Sequence, residues 1–337
     1  MVRKTSRRRF VGAAATLMAQ SAAEAAEPPK RREVWVGALT MDSLTARSKD
    51  DAVTLALGRM DRVADKKPDI VCLTETFQLA AVQPRQTYDQ LAEPIPGPTT
   101  GRMADWARAH RCYVICPIHE RQDGKIYNTA VLLDRSGQVA GSYRKVHVVE
   151  NEMQAGASCG RAAAKAIQTD FGKIGIQTCF DVNWDDGWTA LKRDGAEIVF
   201  WPSAYPGGRA LYPMAWRNGY HVVSVPWYKP GSAEVIDPAG DVIASSGQWE
   251  PWVCAPVNLE KGLFHIDFQM DKARKIEARY GRGVRIKWLH LENWFLLEAV
   301  DPALTVAGLK SEFGLVPLDE YLARAERAQR ADMASRH

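Results

Sequence analysis

Short apolar runs alternate along this chain with longer segments whose apolar positions recur every three or four residues. Residues 34–39 form one such run, and its unbroken apolar character predicts a strand buried on both faces. Ser48 then opens a helix. Asp51 stands three residues on, and Val53, Ala56, Leu57, Met60, Val63 and Ala64 make one apolar stripe before Lys66-Lys67-Pro68 closes it. Residues 70–73 are the next buried strand, ending at Thr74-Glu75-Thr76. From 78 to 98 the pattern dissolves into a proline-rich stretch, the composition of a long surface loop.

A helix over 101–110 follows, then strands at 113–119, 127–134 and 139–147. Beyond Cys179 the alternation resumes: a helix around 188–192, a strand at 198–201, a helix at 211–220 and a strand at 222–225. The segments 233–237 and 241–244 are joined by Pro238-Ala239-Gly240, a hairpin signal. The chain beyond Met270 reads as helical and ends in a charged segment, 321–336. Strands interleaved with helices, plus a few direct hairpins, predict an α/β layered domain with a mixed sheet. No shift of composition interrupts residues 33–300, so they are read as one domain, with a helical tail at 301–337.

The first thirty residues change the picture. Basic residues, a short apolar run from Phe10 and the small-residue stretch Ala23-Glu24-Ala25 stand in the order of an export leader. Ser6-Arg7-Arg8-Arg9-Phe10-Val11 resembles a twin-arginine signal, so residues 1–26 are expected to be a signal peptide and the mature protein to be periplasmic. The apolar run is shorter than the ~20 residues a membrane span needs, so no stable membrane insertion is expected once the leader is removed. Residues 1–32 hold eight Lys/Arg against two acids, a charge of +6, so within a net charge of +4 the remainder stands at −2. A near-neutral domain has no electrostatic footprint for nucleic acid. Six cysteines in 337 residues are too sparse for a disulfide framework, and neither they nor the histidines show a metal-ligand spacing.

Three polar residues follow apolar runs at expected strand ends, where α/β sheets build their sites: Glu75, Lys145 and Cys179. Singly, each has an ordinary structural explanation, since a strand-end Cys is commonly a small buried hydrophobe. Together they stand in PDIVCLTETF, SYRKVH and TDFGKIGIQTCFDVNW, and with GAEIVFWPSAYPGG and EVIDPAGDVIASSG these words resemble the carbon–nitrogen hydrolase (nitrilase) superfamily over about residues 34–260. The resemblance implies a four-layer α-β-β-α sandwich with mixed sheets. It also implies a Glu75–Lys145–Cys179 triad and a C-terminal tail that serves dimer contacts, so a homodimer or higher homo-oligomer is expected.

In that reading Cys179 is the nucleophile, Glu75 takes and returns its proton, and Lys145 supports thiolate and oxyanion together with the Phe180 N–H. No metal or organic cofactor is required. The family often carries a second glutamate after the lysine, and Glu152 fits that spacing better than Glu150. Cys179-Phe180-Asp181 looks like the amidase and carbamoylase branches, whereas nitrilases usually show Cys-Trp-Glu there. The expected reaction is therefore hydrolysis of a small amide or N-carbamoyl compound through a thioester. Nitrile hydrolysis, acyl transfer to an amine and a catalytically silent binding or assembly protein are the alternatives. A thiol-redox role lacks the paired cysteine it would need. Among substrate contacts, Trp184, Tyr205 and Arg209 are the expected pocket residues, Arg209 as partner of a substrate carboxylate.

Overall fold

The computed structural model describes residues 32–161, 163–227, 232–247 and 249–335, and the expected leader lies outside them. The first sheet holds β1 (Glu33–Leu39), β2 (Ile70–Leu73), β3 (Tyr113–Gln122), β4 (Lys125–Leu133), β5 (Val139–Arg144) and, beside β4, the two-residue β6 (Ala157–Ser158). β1, β2 and β3 run parallel, while β4 and β5 fold back as successive antiparallel strands. The second sheet holds β7 (Ile167–Gln168), β8 (Lys173–Ile176), β9 (Ile198–Pro202), β10 (His221–Val225), β11 (Glu234–Ile236) and β12 (Val242–Ser245), with β8, β9 and β10 parallel. β13 (Trp252–Asn258) then returns to the first sheet and pairs antiparallel with β1.

The unbroken apolar runs are strands covered on both faces. Val36, Ala38, Ile70, Cys72 and Ile115 meet Ile174, Ile176 and Phe200 in the core between the sheets. Leu39, Val71, Leu73 and Val114, on the opposite face of the first sheet, pack on helices Lys49–Ala64 and Pro98–His110 through Val53, Met60, Met103 and Trp106. Helices Asp185–Arg193 and Leu211–Asn218 add Trp188, Leu191 and Leu211 to the second sheet. The result is the α-β-β-α sandwich. Among the described residues no helix is long and apolar enough to cross a membrane.

Two expectations are corrected. The stretch 78–98 carries two short helices, Phe77–Ala81 and Tyr88–Leu91. The second starts at a capping box in which Thr87 and Gln90 exchange hydrogen bonds, the Thr87 N–H reaching Gln90 Oε1 at 2.8 Å. The chain beyond Met270 is not wholly helical either. β14 (Lys261–His265), β15 (Val284–Leu289) and β16 (Trp294–Ala299) form a third, antiparallel sheet in the order β14-β16-β15. Arg285 and Lys287 alternate with Val284, Ile286 and Trp288, so the strand keeps one apolar face despite its basic residues. Phe264, Ile276, Phe295, Leu297 and Leu309 give this sheet and helices Met270–Tyr280 and Val306–Phe313 a core of their own. The architecture therefore changes near residue 261, ahead of the expected tail at 301–337.

Candidate active site

β2 stops at Leu73, and the hydroxyl of Thr74 donates to the carbonyls of Ser203 and Val225 at 2.8 Å each. That contact ties the residue before Glu75 to the ends of β9 and β10, so one strand end of the first sheet is fixed against two of the second. Glu75 is buried. Its Oε2 accepts the Ala204 N–H at 2.7 Å, and its Oε1 accepts Lys145 Nζ at 2.8 Å and Asn128 Nδ2 at 2.7 Å. The indole N–H of Trp227 donates to the Glu75 carbonyl.

β5 ends at Arg144, leaving Lys145 as the first residue beyond it rather than inside a strand reaching 147. The Lys145 N–H donates to Asn128 at 2.9 Å, and its carbonyl accepts the Gly160 N–H at 2.8 Å. A Cβ at Gly160 would stand 2.4 Å from the Arg144 carbonyl, so this approach requires glycine. The Lys145 ammonium is 1% exposed and lies between two carboxylates, Glu75 at 2.8 Å and Glu152 at 2.6 Å. Burial works against this ammonium, but Glu75, the Cys179 sulfur and Glu152 outweigh it and hold its pKa above the ordinary lysine value. Of the two glutamates in VVENEMQAG, Glu152 makes this contact and Glu150 is exposed. Glu152 also accepts from Asn128 Nδ2 at 3.2 Å and from the Val149 N–H at 3.0 Å.

Cys179 begins a five-residue 3-10 helix, Cys179–Asn183, directly after β8 and Gln177-Thr178. Its φ of +47° is a left-handed conformation that side-chain-bearing residues seldom adopt. The turn is held by Asp181, whose buried carboxylate accepts the Thr178 N–H, and by Trp201, whose indole donates to the Cys179 carbonyl at 3.0 Å. Burial, and then the Glu75 charge, push the Cys179 thiol above its ordinary range; Lys145, the Ala204 N–H and the Ser203 side chain pull it back only in part. A thiol of that kind needs its proton removed as it reacts, and Glu75 is the carboxylate whose charge bears on it most.

Glu75, Lys145, Glu152, Cys179, Phe180 and Tyr205 all line one cavity of about 390 Å³. Tyr205 packs edge-on against Trp201, and burial followed by the Cys179 and Glu75 charges raises its hydroxyl to about 12. Trp184 and Arg209 are not among the lining residues. Trp184 stacks on His147 at 4.1 Å with the rings 8° from parallel, and Arg209 sits exposed on the turn Gly208–Ala210. Trp188 and Trp201 are fully buried core. The wall also includes Arg85, Tyr88 and Trp227, none of them singled out from sequence. Arg85 and Tyr88 were hidden in the stretch read as surface loop. Asn128, which joins both glutamates, shows in sequence only as a polar residue on an apolar strand. Among the described residues no group of three His, Cys, Asp or Glu is arranged to hold a metal ion.

A sequence model of the family described as carbon–nitrogen hydrolase matches residues 21–261. The deaminated glutathione amidase of Rattus norvegicus is 30% identical over 215 residues, 54% of this chain and 64% of that protein. The β-ureidopropionase of Arabidopsis thaliana is 31% identical over 161 residues, 44% of this chain and 39% of that protein. The match thus spans less than two thirds of either relative's length. In fold, the crystal structure of an amidase from Nesterenkonia sp. superposes with a TM-score of 0.58 at 17% identity, covering 73% of this chain and 96% of that one.

Proposed function

The chain belongs to the carbon–nitrogen hydrolase family, and on that premise we propose that it hydrolyses small amides, N-carbamoyl compounds included, through a thioester on Cys179. The observation that carries the reading is the buried Glu75–Lys145–Glu152 cluster in the same cavity wall as Cys179. Glu75 accepts the thiol proton as sulfur attacks the amide carbon. The negative charge that develops on the carbonyl oxygen is met by the Lys145 ammonium and by the Phe180 N–H, at the start of a helix whose first N–H groups have no partner inside it. Collapse breaks the C–N bond, and the proton held on Glu75 leaves with the nitrogen as ammonia or an amine. Water then gives a proton to Glu75 and its oxygen to the acyl carbon, the C–S bond breaks, and the thiolate recovers the proton.

Two similarities favour an amide or carbamoyl substrate over a nitrile: the relatives named above are an amidase and a β-ureidopropionase, and Phe180-Asp181 follows the cysteine. Export through a twin-arginine leader to the periplasm and homo-oligomer contacts through the C-terminal tail belong to the same proposal. The test is intact-protein mass spectrometry of wild type and Cys179→Ala exposed to amides, carbamoyl amino acids and nitriles, with ammonia release followed in parallel. A substrate-dependent mass gain on wild type alone, equal to the acyl group, is expected. Ammonia release by Cys179→Ala at the wild-type rate would remove Cys179 from the chemistry.

A further inference from the structure

One charged residue of the cavity wall, Arg85, takes no part in the ion pairs around Lys145. Arg85, on the segment between helices Phe77–Ala81 and Tyr88–Leu91, and Tyr88, the first residue of the second helix, both line the cavity. Arg85 lies over the ring of Trp227, its guanidinium carbon 5.9 Å from the ring centroid, and Trp227 is anchored by its indole N–H to the Glu75 carbonyl. Among the described residues no carboxylate lies within ion-pair distance of Arg85, and the hydroxyl of Tyr88 has no hydrogen-bond partner. Lys145, in contrast, is already shared between Glu75 and Glu152. Without Arg85 the charged groups of the wall would sum to one negative charge, a field that repels an anionic substrate. With it they balance, and the unshared positive charge sits on an aromatic platform fixed to the backbone of Glu75.

Resting on the hydrolase reading above, we infer that Arg85, with Tyr88, receives a carboxylate at the far end of the substrate, so that the preferred substrates are monoamides of short dicarboxylic acids or similarly anionic amides. A guanidinium on an indole face keeps its N–H edge free for a carboxylate. Glu75 and Glu152 repel the carboxylate from the sulfur end, which orients the amide carbon toward Cys179. Arg209, the arginine the sequence suggested for this task, is outside the cavity.

The probes are succinamate and butyramide, which differ by a carboxylate in place of a terminal methyl. In wild type the kcat/KM ratio of succinamate over butyramide is expected to exceed one, and in Arg85→Gln to fall roughly 10- to 100-fold, the loss expected for one hydrogen-bonded charge. Arg209→Gln keeps the wild-type ratio. The same comparison is made by calorimetric titration in a Cys179→Ala background, where no turnover is required. Succinamate should bind there more tightly than butyramide, and adding Arg85→Gln should erase the difference. A ratio unaltered by Arg85→Gln, or binding in which the two probes are equal or both absent, overturns the role of Arg85 and leaves the hydrolase reading to its own test. Binding discrimination without ammonia release overturns the hydrolase reading alone.

Discussion

The hydroxyl of Tyr143 donates to the carboxylate of Asp181 across 2.8 Å, and each stands two positions from a member of the candidate triad, Tyr143 before Lys145 and Asp181 after Cys179. The same carboxylate accepts the His147 N–H at 2.9 Å and the Thr178 N–H at 2.9 Å, and lies 2.9 Å from His147 Nδ1. One buried side chain therefore joins the turn that carries the cysteine to the segment that carries the lysine, across two different sheets. Asp181→Asn replaces one acceptor oxygen by a donor among groups that are themselves donors. It should cost about 2 kcal/mol or more in denaturant unfolding and slow alkylation of Cys179. Tyr143→Phe, which removes one bond of the set, should cost about 1 kcal/mol. Equal stability of Asp181→Asn and wild type would show that this carboxylate bridges nothing of consequence.

Glu152 and Glu150 are separated by a single residue yet differ in what they touch. Glu152 lies 2.6 Å from Lys145 Nζ, and Glu150 is exposed. Glu152→Gln should lower kcat roughly 10- to 100-fold, the worth of a hydrogen bond to a charged group. It should also shift the pH–rate profile, because Lys145 loses one of the carboxylates that hold its pKa up. Glu150→Gln should leave both unchanged. Parallel steady-state profiles of the two variants decide the matter, and matching losses would refute the assignment.

The contrast between these neighbours shows where the sequence stops being legible. Glu75, Lys145 and Cys179 stood out in sequence because each lies in a word that resembles the family, whereas position at a strand end alone left each with an ordinary structural explanation. Arg85, Tyr88 and Trp227 were not, since they reach the cavity from segments whose course depends on packing between distant parts of the chain. The third sheet was missed for another reason. Arg285 and Lys287 interrupt the apolar run of β15, leaving only the alternate residues Val284, Ile286 and Trp288 to pack with Phe295 and Leu297 of β16.

His221 sits in β10, buried, with Nε2 lacking a partner among the described residues. Burial, and then the Lys261 charge, lower its pKa from the ordinary histidine value of 6.5 to about 3. Between those values the unfolded chain binds a proton that the folded one does not, so stability present above pH 6.5 is lost as pH falls toward about 3. Each pH unit inside that window costs about 1.4 kcal/mol through this residue. His221→Leu, compared with wild type by urea unfolding at pH 6 and pH 4, should show the shallower loss on acidification. Carboxylates common to both proteins cancel in that difference, and parallel curves would mean that His221 titrates normally.

The left-handed φ of Cys179, +47°, sits at the position that supplies the nucleophile of the proposed chemistry. A non-glycine residue there costs about 1–2 kcal/mol, and the surroundings hold it in place: Asp181 accepts the Thr178 N–H, and Trp201 holds the Cys179 carbonyl. If the conformation serves only to present sulfur to the cavity, removing the sulfur leaves strain without benefit. Cys179→Ala keeps a Cβ and hence the strain, whereas Cys179→Gly releases it at an unfolded-chain entropy cost of about 0.4–1 kcal/mol. Cys179→Gly should therefore be the more stable variant, by roughly 0.5–1 kcal/mol in denaturant unfolding. Neither should form an acyl-enzyme. An alanine variant as stable as the glycine one would mean that the turn holds no strain and that its shape follows from packing alone.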